Sequence, residues 1–317
     1  MTFEITKPIL IVGLGGVGSK LAIEAKKSLN SDCILISHDH KDFEPGITSI
    51  EVSTGPTVNP SIYLIRGSAF QLSNEIANHF SKYSTIVLMA NLAGKAGAAI
   101  SPIVSKICKE NDKNLISFAI MPFKFEKDRV FASGISLNRL RTDSGCTIVL
   151  DNDALLDSNP SLTPKKCHEI SNEAILKVVN SLQTTSISQD TNIISTSKDA
   201  NDVEVSLKDS IRMLYEDAPP SSVKRSILYV LGGHNIPVGV LNSVTNIAGS
   251  VFNDENTSVS TTISSGENSK VVMLTSVQGE IHFDKYDPLS IIPKDKTLDW
   301  EEPDCSIDCN LDLYQLE

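Results

Sequence analysis

Four glycines set the first chemical possibility in this chain. Gly13, Gly15, Gly16 and Gly18 stand directly after the apolar run Pro8-Ile9-Leu10-Ile11-Val12. A short continuous apolar run is what a strand buried on both faces presents. Residues 20–29 predict a helix, with Leu21, Ala22, Ala25 and Leu29 on one stripe. A glycine turn between such a strand and such a helix aims backbone N–H groups and the positive end of the helix dipole at one point, which is a seat for phosphate. The missing side chains let a pyrophosphate approach the backbone. Gly13, Gly15 and Gly18 also satisfy the dinucleotide spacing G-x-G-x-x-G. Asp39, after a predicted strand at 33–37, stands where an acid would meet a ribose. On these residues alone a nicotinamide-dependent oxidoreductase, another nucleotide-binding protein and a glycine turn without a ligand all stay open.

A second group lies in residues 84–153. An apolar strand at 86–89 runs into a small-residue loop at 90–99 that contains Gly94, Lys95, Ala96 and Gly97. A helix follows, then a second apolar strand ending in Pro122-Phe123-Lys124-Phe125-Glu126. A further helix leads to a third strand at 147–150, which ends in Asp151-Asn152-Asp153. Lys95 either meets a phosphate as a point charge or points to solvent.

This order resembles the second half of the nucleotide-binding domain of the tubulin/FtsZ superfamily, and the chain is most similar there to archaeal FtsZ-like proteins. The resemblance covers about residues 8–278. It implies an α/β fold of four parts: a parallel-sheet, GTPase-like domain at 1–162, a long central helix at 163–184, a smaller α+β domain at 185–278 and a flexible acidic tail at 279–317. It further implies GTP or GDP as ligand, with magnesium, and a cytoskeletal, cell-division type of role. The partner it implies is a second copy of the chain, joined head-to-tail. Such heterologous contacts build open filaments.

Carried over residue by residue, the resemblance gives the phosphate loop to Gly13, Gly15, Gly16 and Gly18, with Lys20 where the family usually has Asn. The third-strand loop is shortened to residues 55–60. The family signature GGGTGTG falls on Ala93-Gly94-Lys95-Ala96-Gly97-Ala98-Ala99, so two glycines remain and both threonine hydroxyls are gone. Glu126 takes the ribose position, with Arg129 one residue nearer to it than the family's arginine. Asn152 takes a guanine or ribose position. Asn172 replaces the aspartate that reads guanine. A carboxylate accepts from both N1–H and N2–H2 of guanine, whereas an amide has one acceptor and one donor. Helix and turn capping is the competing role for both asparagines. The catalytic loop, NxDxxD in the family, falls on residues 204–209. Ser206 stands where the first Asp would be, and Asp209 is the remaining carboxylate. An acid is needed to orient and deprotonate water, so the resemblance implies slow hydrolysis or none, a pseudo-GTPase. A helix-dipole partner is the other role open to Asp209.

Composition sets the frame. The chain has 317 residues, enough for two cores. It holds no run of about 18 apolar residues, so no membrane span is expected. From Met1-Thr2-Phe3-Glu4 no secretory leader is expected, and six scattered cysteines read as reduced thiols. A cytoplasmic location is the expectation. Residues 279–317 carry eleven acidic and three basic side chains, net −8 of the chain's −11, so residues 1–278 are close to neutral. Nothing in this balance suggests a nucleic-acid surface.

The second half reads as a helix at 165–182 started by Thr163-Pro164. A Ser/Thr/Asn/Asp-rich loop follows at 184–206, then a short helix at 207–215. A strand at 225–231, a helix at 238–252 and strands at 258–264 and 270–276 complete it. The last residues carry Leu311, Leu313, Tyr314 and Leu316 among acids, and the resemblance to the FtsZ family implies that they dock on a membrane-tethering or regulatory protein. Two further alternatives stand: a scaffold that keeps the fold without nucleotide, and an ATP-dependent enzyme. For the latter, the first glycine loop resembles that of ubiquitin-activating-type adenylyltransferases, although Cys305 and Cys309 are the nearest approach to a CxxC pair.

Overall fold

The computed structural model describes residues 2–198, 202–232, 236–252, 258–263 and 269–286. The first half contains β1 (Thr2–Phe3), β2 (Ile9–Leu14), α1 (Gly15–Leu29), β3 (Asp32–Ser37), β4 (Thr48–Glu51), α2 (Ile62–Gln71), α3 (Ser73–Phe80), β5 (Thr85–Asn91), α4 (Lys95–Glu110), β6 (Asn114–Met121), α5 (Lys127–Asp143) and β7 (Cys146–Asp151). The second half contains α6 (Asn152–Ser158), α7 (Pro164–Ser181), β8 (Ile187–Ser188), β9 (Asp190–Thr196), α8 (Val203–Asp217), β10 (Val223–Leu231), α9 (Val238–Val251), β11 (Ser258–Ile263) and β12 (Lys270–Val277).

Ten strands form one sheet in the order β11-β10-β12-β9-β7-β6-β5-β2-β3-β4. Strand β12 runs antiparallel to both neighbours, and the other neighbouring pairs are parallel. Both faces are covered, which is why β2 and β5 read as unbroken apolar runs. Leu10, Val12, Ile86 and Leu88 face a core shared with α2, α3, α4, α5, α8 and α9. Ile11, Val87 and Met89 face the opposite core, shared with α1, α6 and α7.

The long helix α7 starts as its sequence dictates: Thr163 Oγ1 accepts from Lys166 N at 3.3 Å, and Pro164 occupies the first turn. It packs beside α1, and Gln183 just past its end donates to the Leu29 carbonyl at 3.0 Å.

Strand β9 lies where the sequence predicts loop. It pairs in parallel with β7 and antiparallel with β12, so the two halves share one continuous sheet. Its composition hid it, because Thr191, Asn192, Ser195 and Thr196 are buried polar residues. Ser276, distant in sequence, donates to the Asn192 amide oxygen at 2.6 Å, and the Asn192 nitrogen donates to the nearby Ser188 carbonyl at 3.1 Å.

The segment expected to open the acidic tail also differs. Ile281, Phe283 and Tyr286 are buried against the body. The remaining tail residues, including the docking peptide with Leu311, Leu313, Tyr314 and Leu316 and the pair Cys305 and Cys309, lie outside the described residues. Cys33, Cys108, Cys146 and Cys167 are buried and carry no disulfide. Burial pushes the Cys33 thiol up to about 11 and the Cys108 thiol to about 12, so neither is reactive. Among the described residues no helix is long and apolar enough to cross a membrane, and no group of three or more His, Cys, Asp or Glu side chains could hold a metal ion.

Candidate functional site

The glycine turn is tighter than the sequence predicts. Helix α1 begins at Gly15, directly after β2, and Gly15 has φ +64°, a conformation that favours glycine. The second segment is tighter too, because α4 starts at Lys95 and half of the expected loop is its first turn. Neither N-cap, Leu14 for α1 or Gly94 for α4, bonds its helix through a side chain. Each helix therefore presents its leading N–H groups and roughly half a positive charge. The two starts abut: a Cβ on Gly15 would stand 2.9 Å from Cβ of Ala96 and 4.0 Å from the backbone nitrogen of Gly97.

The glycines divide by what lies against them. A Cβ on Gly18 would sit 2.3 Å from the Met89 carbonyl oxygen, one on Gly97 would sit 2.0 Å from that of Asn91, and one on Gly13 would sit 2.7 Å from that of Gly18. These three are required by close helix–strand packing. Gly94 is less confined, at 3.3 Å from the Asn91 oxygen. Gly15 and Gly16 shape the open side of the turn, where the neighbour is a side chain: a Cβ on Gly16 would meet Oδ1 of Asp42 at 2.7 Å. Asp42 is fixed there by Ser37 Oγ, which donates to its Oδ2 at 2.5 Å. Asp39 instead caps the short turn His40–Asp42, accepting from Lys41 N at 3.0 Å.

Lys95 does not point freely to solvent. Its Nζ donates to Asn59 Oδ1 at 2.5 Å and to the Pro60 carbonyl at 2.9 Å, so it ties the shortened loop to the start of α4. Lys20 is exposed on α1.

The base and ribose candidates come together at the ends of β6 and β7, and most are already engaged. Glu126 accepts from Phe123 N at 3.2 Å and pairs with Arg129 at 2.8 Å. Asn152 is buried, donating to the Met121 carbonyl at 3.1 Å and accepting from Ser171 Oγ at 2.7 Å. It therefore joins β6, the start of α6 and α7. Asn172, next to Ser171, is half-buried on α7 and is the less committed of the two asparagines. His168, one turn earlier on α7, stacks edge-on with Phe123 at 5.3 Å. Burial holds its imidazole below the usual histidine range, and nearby Glu126 offsets part of this. Lys124 bridges Asp153 at 2.6 Å and Asp157 at 2.8 Å, and these two carboxylates push its pKa up.

Residues 204–209 form the first turns of α8 and not a loop. Asp202 caps that helix, accepting from Glu204 N at 2.8 Å. Ser206 is buried, 2.6 Å from Ser197 Oγ, and accepts from Val271 N at 2.8 Å, which pins α8 to β12. Asp209 sits half-buried a turn further along α8.

The sequence did not single out Asp42, whose approach to Gly16 depends on the bond from Ser37, or the pair Asn59 and Pro60 that holds Lys95. Its one available signal was an acid closely following the strand at 33–37.

With this geometry in view, the Tubulin/FtsZ family, GTPase domain, matches residues 65–160. Among curated proteins, "Cell division protein FtsZ 2" of Methanocaldococcus jannaschii is 22% identical over 185 residues, 56% of this chain and 49% of that protein. The protein of the same name from Halobacterium salinarum is 31% identical over 100 residues, 32% of this chain and 25% of that protein. The chain thus spans half or less of the length of these relatives. Among solved structures, an empty FtsZ dimer of M. jannaschii superposes with a TM-score of 0.68 at 18% identity, covering 89% of this chain and 92% of that one. CetZ2 from Haloferax volcanii, a GTPγS-bound protofilament, superposes with a TM-score of 0.65 at 13% identity, covering 90% and 98%. The shared fold is that of FtsZ and tubulin.

Proposed function

We propose that this chain, a divergent member of the tubulin/FtsZ superfamily, is a cytoskeletal subunit that binds a guanine nucleotide weakly and hydrolyses it slowly or not at all. The observation that carries the reading is the abutment of α1 and α4, whose first turns converge at Gly15 and Ala96. Gly13, Gly15, Gly16 and Gly18 would shape one side of the phosphate seat, and Gly94, Lys95, Ala96 and Gly97 the other. Backbone N–H groups supply the contacts there, because alanine offers no hydroxyl.

Weak binding follows from what surrounds the seat. The Asp42 carboxylate lies beside Gly16 and repels phosphate. Lys95 is spent on Asn59 and Pro60. Glu126 and Arg129 neutralise each other, and Asn152 is bonded to Met121 and Ser171. Asn172 is left to meet a base edge, with poorer discrimination for guanine than an acid would give. Magnesium would accompany the phosphates and reduce the repulsion from Asp42. Slow turnover follows from the burial of Ser206, with Asp209 as the one carboxylate of the family motif left to orient water.

Self-association head-to-tail is supported by the likeness to the protofilament of CetZ2, and a cytoplasmic location and a tail-binding regulatory or membrane-tethering partner complete the proposal. A second reading, a scaffold of the same fold without nucleotide, is favoured by Asp42 occupying the approach to Gly16. Nucleotide extracted from freshly purified protein, together with light scattering with and without GTP, separates the two. Guanine nucleotide with GTP-dependent assembly supports the first reading, and nucleotide-independent assembly of nucleotide-free protein supports the second.

A further inference from the structure

Away from the glycine turn, α2, α4 and α5 enclose a groove of about 630 Å3. Its walls are apolar and its aromatic edges stand in water: Tyr63 is 75% exposed and Phe70 63%, beside Ile103 and Ile107. Neighbouring exposed aromatics of this size mark a surface that something covers.

The groove is also cationic. Arg66 and Arg139 both line it, and among the described residues neither has a carboxylate partner. Arg66 spends one nitrogen on the Ala98 carbonyl at 3.1 Å, while its buried Nε has no partner. Burial and the like charge of Arg139 hold the Arg66 guanidinium below its ordinary range. Lys106, at the same groove, lies 3.7 Å from Glu110 and is partly balanced. A half-buried and an exposed guanidinium, Arg66 and Arg139, beside an apolar channel call for an occupant both acidic and apolar.

We propose that the groove between α2, α4 and α5 holds residues 306–317 of the same molecule. Those residues carry Leu311, Leu313, Tyr314 and Leu316 interleaved with Asp308, Asp312 and Glu317, the two chemistries that the groove displays. Charge points the same way: residues 287–317 have nine acidic and two basic side chains on a body that is otherwise near neutral. The described chain passes Asn138 and Arg141 of α5, the helix that carries Arg139, at Gly279 and Ile281, and its described part ends at Tyr286 beside Asp151, from which residues 287–305 reach towards the groove. Residues 287–305, extended at about 3.3 Å each, span about 60 Å, whereas the whole of α5 is only about 25 Å long. Tethering at such distances gives effective concentrations on the order of millimolar, enough for a weak intramolecular contact to persist.

The test uses the full chain and amide hydrogen exchange of residues 61–71 and 306–317. Protection of both segments is expected. Leu313→Asp together with Tyr314→Asp, or Arg66→Glu together with Arg139→Glu, should raise exchange several-fold in both segments at once. Combining the arginine changes with Asp308→Lys and Asp312→Lys should restore protection. Dilution should leave the wild-type pattern unchanged. Unprotected tail amides in the wild type overturn the proposal, as does a groove unaffected by the tail variants, which remain informative if the arginine variants fail to fold. Protection that disappears on dilution assigns the groove to a second copy and overturns it equally.

Discussion

The hydroxyl of Tyr286 donates to the carboxylate of Asp151, lying 2.7 and 2.6 Å from its two oxygens, and both residues are buried. Lys285 adds ion pairs at 3.1 Å to Asp151 and to Asp217 at the end of α8. The end of β7, the end of α8 and the segment after β12 are therefore held by one polar cluster. Tyr286→Phe leaves a buried carboxylate short of a donor, which costs about 1–3 kcal/mol. Thermal unfolding should show a melting temperature lower by several degrees.

Asp217 gives a pH signature. Burial, with Asp151 beside it, raises its pKa well above the ordinary aspartate range, against the pull of Lys285. A carboxyl with a raised folded pKa holds its proton more tightly when folded. Its contribution is complete below the unfolded pKa and is lost as pH rises through the folded one. Asp217→Asn should therefore gain on the wild type as pH climbs from about 4 towards neutrality. Chemical denaturation across that range checks this, and a constant difference between the two proteins would refute it.

His168 predicts the opposite slope. Its folded pKa is lowered by burial, so the unfolded chain takes up a proton that the folded chain resists. Stability should fall as pH drops below about 6.5 and continue to fall until the folded pKa is passed. In His168→Gln that part of the acid dependence should be absent, which unfolding midpoints between pH 7 and 5 will show.

Restoring an acid at Ser206 should fail. The position is buried against Ser197 and Val271, so Ser206→Asp buries a charge without a cation. A loss of several kcal/mol and no gain in phosphate release are expected. Increased GTP turnover in a folded Ser206→Asp variant would place the catalytic loop back at this residue.

These residues also mark how far the sequence was legible. The glycine turn, the Thr163 cap and the apolar strands β2, β5 and β6 were readable because local spacing and continuous hydrophobicity determine them. Strand β9 was not, since its buried polar residues are satisfied by Ser276 and by main chain elsewhere, and hydrophobic periodicity cannot register such bonds. Individual roles at the site were readable only in part. The bonds of Asn152 to Met121 and Ser171 were not readable, because they depend on contacts far apart in sequence. Lys95 was left between phosphate and solvent, and nothing in the sequence signalled that the loop at Asn59 and Pro60 receives its ammonium. The burial of Tyr286 depended on Asp151, far away in the chain.

The central claim is that the abutting starts of α1 and α4 seat the phosphates of a guanine nucleotide, with Asp42 as the opposing charge. It is tested most directly by titrating GDP into the wild type, Gly15→Val and Asp42→Ala by calorimetry in EDTA. The account predicts weak binding to the wild type, none to Gly15→Val, and binding to Asp42→Ala tightened by about tenfold, equivalent to about 1.4 kcal/mol of relieved repulsion. Absence of binding to both the wild type and Asp42→Ala, or undiminished binding to a folded Gly15→Val, would contradict it.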